Sequence, residues 1–162
     1  MSRNPEKIAY KHGEKRRSYK DLVERMDKIS SALLANLKEK KGHVAIVASN
    51  SIEYMEIVLG SSQAGIPIAT INPKLSANEI VAICDNAEAM VLFVDEASSK
   101  LLSESTFSSV EKIVTINHEL EDWISRSKPI ADRPIVMEWD VFTIPYTSGT
   151  TGQPKGVLVP HR

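Results

Sequence analysis

Apolar positions along this chain fall into two alternating kinds of segment. Val44–Val47, Ile66–Ile71, Met90–Val94 and Ile113–Ile116 are short runs with little polar alternation, the pattern of parallel strands covered on both faces. Between them, apolar residues recur at helical spacing. Leu22, Met26, Ile29, Leu33 and Leu37 form one such stripe after Ser18, which with Asp21 makes a short capping box, and Gly42 closes that helix. Asn50 and Ser51 open a second helix through Ile57 and Leu59, closed by Gly65. Ser76 and Glu79 form a capping box for a third, running to about Asn86. A polar helical segment over Glu96–Ser105 and a weaker one over His118–Ser127 follow. Ile8–Tyr10 and Arg17–Tyr19 flank a polar stretch with Gly13 and predict an opening hairpin, and Val141–Tyr146 predicts a last strand. Strands alternating with helices imply an α/β fold, a mainly parallel β-sheet with right-handed βαβ crossovers. Lys128–Pro134 reads as a linker. The expected organisation is therefore an α/β subdomain over 1–134 and a strand–loop–strand unit over 135–162 that begins the next subdomain.

Composition narrows the classes without choosing among them. The chain has 162 residues, 42% hydrophobic and 25% charged, which excludes disorder, collagen and disulfide scaffolds. Lys and Arg number 20 against 21 Asp and Glu, a net charge of −1, so no general attraction to nucleic acid or anionic lipid is expected. Lys15–Arg17 reads as a turn and Lys38–Lys41 as a solvated helix end rather than as basic patches. The one cysteine, Cys84, sits in a helical apolar pattern and reads as a small buried hydrophobe. The first residues lack the apolar core of a secretory signal, and the longest apolar run, Ala64–Ile71, is broken by Pro67, so no transmembrane segment and a cytoplasmic location are expected.

Candidate chemistry concentrates near Arg162, where Gly149, Gly152 and Gly156 crowd together. In open parallel sheets ligands bind beyond the carboxyl ends of strands. Asn50 and Asn72 follow two strands and read as a helix cap and a turn. The junction after Tyr146 is different. From Thr147 to Gly152 every residue is Thr, Ser or Gly. Glycines permit close backbone approach, the hydroxyls of Thr147, Ser148, Thr150 and Thr151 can surround an anion, and Lys155 adds a full positive charge. A Walker A loop it is not: Pro154 stands where the second glycine belongs, and Gly156 where the Mg²⁺-binding hydroxyl belongs. No helix follows either; Val157–Val159 is strand-like and Pro160 ends it. The segment reads as a phosphate loop between two strands.

The string from Tyr146 to Val157, followed by Pro160, His161 and Arg162, resembles the AMP-binding signature of the adenylate-forming superfamily, most closely the amino-terminal portion of an acyl-CoA synthetase. Tyr19–Leu22, Val44–Ile46, Asn50, Glu53, Ala64–Gly65, Ile71–Pro73 and Glu79–Ile80 are similar to that portion too. Gly42–His43 departs from the usual Gly-Asp, which alters a turn and touches no chemistry.

The resemblance implies a fragment of the large domain of an enzyme that joins a carboxylic acid to ATP, releases pyrophosphate, and passes the acyl group from AMP to CoA. It implies ATP, Mg²⁺ and CoA as cofactor and co-substrates. Thr147, Ser148, Gly149, Thr150, Thr151, Gly152 and Lys155 are implied as contacts to the β- and γ-phosphates, with Lys155 catalytic. His161 lines the acyl side in some members and is otherwise structural. The family's adenine- and Mg²⁺-contacting, ribose-binding and lysine-bearing elements fall on no residue here, and no metal ligand is expected. Hence the chain alone is expected to be inactive, with residues from about Thr147 onward mobile or held by another copy through self-association. A carrier-protein-dependent adenylation domain and a non-catalytic remnant of the fold are the alternatives.

Overall fold

The computed structural model describes residues 4–37, 42–127, 133–147 and 154–162. An antiparallel hairpin opens the chain, β1 (Ile8–His12) and β2 (Lys15–Ser18), with Gly13 at φ +57° in its turn. Helix α1 (Tyr19–Leu37) follows at once. The backbone N–H of Asp21 donates to Ser18 Oγ at 3.1 Å and that of Ser18 to Asp21 Oδ2 at 3.3 Å, the reciprocal cap read from the sequence. Lys38–Lys41, expected to be its solvated end, lies outside the described residues.

The core is a six-stranded sheet. Its parallel strands are β3 (His43–Val47), β4 (Ile68–Ile71), β5 (Ala89–Val94), β6 (Lys112–Thr115) and β7 (Val141–Thr143). An antiparallel edge strand, β10 (Val159–Pro160), gives the order β10-β7-β4-β3-β5-β6. The helices between them are α2 (Ile52–Gln63), α3 (Ala77–Asn86), α4 (Glu96–Leu101) and α5 (His118–Ser125). The expected α/β architecture with a mainly parallel sheet is the one observed.

Alternate residues of each central strand serve opposite layers. Val44, Ile46, Val91, Phe93 and Val114 pack with Ile29, Leu33, Ile57, Leu120 and Ile124 of α1, α2 and α5. Ala45, Val47, Leu92 and Val94 pack with Ile80, Ile83 and Cys84 of α3 and with Leu102. Both faces are dry, which is why these strands read as unbroken apolar runs. Cys84 is fully buried, and burial, with Asp85 beside it, pushes its thiol up to about 12.

Three expectations need correction. Val141–Tyr146 is not one strand. β7 stops at Thr143; Ile144 turns its side chain into the core while its N–H reaches Ile68 O at 2.9 Å, and Pro145, with no N–H to donate, separates β7 from β8 (Tyr146–Thr147). The last strand is Val159–Pro160 rather than Val157–Val159, and Pro160 ends it from within, on an edge that tolerates proline. Lys15–Arg17 is no turn: it is β2, and Lys15 and Arg17 reach Glu53 at 3.0 Å and Glu56 at 2.6 Å.

Candidate functional site

The chain leaves β3 toward β4 on one side and later adds β5 on the other, so a topological switch point falls between β3 and β5. Such a point is where open α/β sheets ordinarily bind ligands. A cavity of about 430 Å³ does open there, lined by Ser49, Asn50 and Ser51 after β3, by Asp95 after β5 and by Asn117 after β6. Its anion-binding amides are already taken. The backbone N–H of Ser49 donates to Asp95 Oδ2 and that of Ser98 to Oδ1, both at 2.8 Å. Burial opposes ionisation of Asp95, yet these N–H donors outweigh it and hold the carboxyl below its ordinary range. Glu53, engaged with Lys15, and Glu121, engaged with Arg25, add further negative charge to the wall. The crevice is plugged by its own carboxylate.

Asn50 does not cap α2; Ser51 does, its Oγ accepting from Tyr54 N at 3.0 Å. Asn72 makes the expected turn, accepting from Lys74 N at 3.0 Å.

The second place is the hairpin of β8 and β9 (Lys155–Gly156). The two strands pair antiparallel, Tyr146 opposite Gly156 and Thr147 opposite Lys155. Ser148, Gly149, Thr150, Thr151 and Gly152, the remaining residues expected to hold phosphate, lie outside the described residues. Thr147 and Lys155, at the two ends of that stretch, are brought together and both are exposed. Among the described residues Lys155 makes no ion pair. The expectation of mobility or of a second copy from Thr147 onward falls in part on undescribed residues; Thr147, Lys155, Val159 and Pro160 pair within the chain.

His161 stands away from this hairpin. Its ring packs on Phe142 at 5.1 Å, and with Met26, Leu59 and Pro134 it lines an open hollow. Among the described residues no three His, Cys, Asp or Glu side chains converge. No helix among them is long and apolar enough to cross a membrane.

Sequence reasoning missed three features. One is Asp95 as the plug, signalled by an acid standing directly between a strand and a helix. Another is Asn86, whose Oδ1 accepts the Tyr146 hydroxyl at 2.7 Å. The third is Glu56, fully buried between Arg17 and Arg25. Its signal was an acid midway between Ile52 and Gly60 on the buried stripe of α2.

Comparison with known proteins gives the fold its context. The family model for AMP-binding enzymes matches residues 1–162. The medium-chain-fatty-acid–CoA ligase of Ectopseudomonas oleovorans is 31% identical over 166 aligned residues, covering 93% of this chain and 30% of the relative. Tyrocidine synthase 3 of Brevibacillus parabrevis is 29% identical across 100% of this chain, which corresponds to 2% of that protein. Among solved structures, an anthranilate CoA ligase in complex with anthranoyl-AMP superposes at a TM-score of 0.86, with 23% identity, over 97% of this chain and 31% of that one. The chain thus spans about 30% of the length of the ligase relative it matches. The 162 residues belong to the AMP-binding, adenylate-forming enzyme family and carry the fold of part of its amino-terminal domain.

Proposed function

We propose that this chain supplies the pyrophosphate-holding loop of an ATP-dependent acid–CoA ligase, with 135–162 opening the next subdomain of the parent enzyme. A carboxylate oxygen of the acid attacks the α-phosphorus of ATP. The bond from that phosphorus to its bridging oxygen breaks, and pyrophosphate leaves from an acyl-adenylate. The thiol of CoA, losing its proton, then attacks the acyl carbonyl, and AMP leaves with the oxygen that joined them. Thr147, Ser148, Gly149, Thr150, Thr151, Gly152 and Lys155 hold the β- and γ-phosphates, where negative charge grows as pyrophosphate departs. Donors fixed in advance on such charge are worth about 10²–10³ in rate each.

One observation carries the reading: Thr147 stands opposite Lys155 in a paired hairpin, and that lysine has no ion-pair partner among the described residues. The plugged switch-point crevice supports it from the other side. The named chemistry of the ligase relatives supports the acid–CoA class. These residues alone, matching about 30% of such a ligase, are proposed to be inactive and to act within a larger protein.

Carboxylate-dependent exchange of pyrophosphate into ATP tests this. The parent protein is expected to show exchange that Lys155→Ala lowers by about 10²-fold or more, and the 162-residue chain none. Turnover by the chain alone overturns the inactivity, and an unchanged Lys155→Ala parent overturns the role of the loop. A second reading, a carrier-protein-dependent adenylation domain, is favoured by a match over 90% of this chain to a relative named as a fatty acid–[acyl-carrier-protein] ligase. Replacing CoA by a carrier protein bearing its thiol arm as acceptor separates the two.

A further inference from the structure

We propose that Tyr146 is the positioning residue of the hairpin, and that its hydrogen bond to Asn86 fixes where the Thr147–Lys155 pair stands. The consequence for phosphate binding rests on the reading of that hairpin given above.

Two-residue strands cannot hold themselves; even longer isolated hairpins are marginal in water. Something outside must fix β8 and β9. Two ties come from the residues flanking the strands: buried Ile144, whose N–H reaches Ile68 O at 2.9 Å, and Val157, whose N–H reaches Pro145 O at 2.9 Å. Both sit at the base of the hairpin. A third lies between the strands. The Tyr146 ring lies against Gly156: a Cβ there would come within 3.0 Å of Tyr146 Cζ, 3.1 Å of its hydroxyl oxygen and 3.0 Å of Ile144 Cγ2. Glycine after Lys155 therefore makes room for the aromatic ring.

The fourth tie is the only side-chain hydrogen bond from these two strands to a helix among the described residues. Tyr146 Oη donates to Asn86 Oδ1 at 2.7 Å. Asn86 is the last residue of α3, and α3 is a firm anchor. Its first turn is closed by the Ser76–Glu79 capping box, and Ile80, Ile83 and Cys84 are buried under the sheet. Burial raises the Tyr146 pKa, which favours the protonated phenol as the donor. Lys155 adjoins Gly156 in sequence and faces Thr147 across the pair, so a shift of the Tyr146 ring passes directly to both. The hydroxyl does no packing that phenylalanine could not do; what it adds is the anchor.

Two measurements on the 162-residue chain test this. Amide hydrogen exchange followed by mass spectrometry reads the hairpin without any ligand. Titration with inorganic tripolyphosphate, followed by calorimetry, reads its use. Tyr146→Phe and Asn86→Leu are each expected to speed exchange at Thr147 and Lys155 by about three- to tenfold, the worth of one hydrogen bond. They should weaken tripolyphosphate binding by a similar factor while the core strands keep wild-type protection. Asn86→Asp retains the acceptor oxygen and should keep wild-type exchange. The double variant Tyr146→Phe/Asn86→Leu should be no worse than either single one, since both remove the same bond. Wild-type exchange in Tyr146→Phe overturns the proposal. So does faster exchange with unchanged affinity when Lys155→Ala has abolished binding. If the Tyr146 and Asn86 variants exchange faster but Lys155→Ala binds tripolyphosphate as wild type does, the anchor stands and the phosphate reading falls.

Discussion

Replacing Glu56 with alanine isolates the strongest electrostatic tie in the described fold. Glu56 is fully buried and accepts from Arg17 Nε at 2.6 Å and from Arg25 Nε. Arg25 also grips Glu121 through both terminal nitrogens, at 2.8 and 2.7 Å. The bond to Glu121, ahead of the opposing cost of burial and with Glu56 contributing, raises the Arg25 pKa above its ordinary value. One carboxylate thus joins β2, α1 and α2, and through Arg25 reaches α5. Breaking a buried pair from one side costs about 3–5 kcal/mol, because the abandoned charge stays desolvated. Here Arg25 keeps Glu121, and the Arg17 side chain is 25% exposed and can recruit water, so the low end, about 3 kcal/mol, applies. In a domain of this size that corresponds to a fall in Tm of about 6–12 °C. Urea unfolding followed by far-ultraviolet circular dichroism checks it, with the slope held at the wild-type value. Lys15→Ala is the control: its pair with Glu53 is on the surface, Lys15 being 69% exposed, and its loss should cost no more than about 1 kcal/mol. If Glu56→Ala costs as little as Lys15→Ala, water replaces the carboxylate and the reasoning fails.

Two further outcomes follow from local geometry. Gly60→Ala on α2 would gain about 1 kcal/mol of helix propensity, but its Cβ would lie 2.7 Å from Ile29 Cγ2 and 2.8 Å from Ile29 Cβ. Overpacking of this kind costs about 1–3 kcal/mol, so urea midpoints should show net destabilisation; an alanine variant as stable as wild type would refute the close α1–α2 packing. Asp95 supplies the pH dependence. Its folded pKa is depressed below the ordinary value of about 3.9 by the Ser98 and Ser49 N–H groups acting against burial. Its contribution is therefore present above about pH 4 and lost as pH falls below that toward the lower folded value. Asp95→Asn should be less stable at neutral pH and should show a shallower acid limb in thermal melts; parallel limbs would remove Asp95 from the account.

Much of the fold was legible because both faces of the sheet are covered. Val44–Val47 and Met90–Val94 have no polar side to confuse the period, and Ser76 with Glu79 closes its helix by purely local bonds. What could not be read depends on partners far away in sequence. Val141–Tyr146 is apolar but for Thr143, and its pairing with β4 runs through the Ile144 N–H to Ile68 O and stops before Pro145, which has no N–H to give. Glu56 sits on an apolar stripe whose arginines lie 31 and 39 residues earlier, so its role is a tertiary fact. At the candidate site, the role proposed for Thr147 and Lys155 rests on their residue types. The hydrogen bond proposed to anchor them could not be read there: nothing local links Tyr146 to Asn86, 60 residues upstream.

The two candidate sites also explain each other. At the switch point, the backbone N–H of Ser49, ahead of α2, and that of Ser98, in the first turn of α4, could face an anion. This chain instead puts an aspartate on those amides and lines the wall with Glu53 and Glu121. A polyphosphate entering that crevice would meet three carboxylates, with the nearest cations, Lys15 and Arg25, already paired. At the hairpin no helix starts among the described residues, and Lys155 has no ion-pair partner among them. With a net charge of −1 for the whole chain, the molecule has no general pull on anions. On the proposed reading, affinity for phosphate comes from local donors, whose placement depends on how firmly the short β8–β9 pair is held.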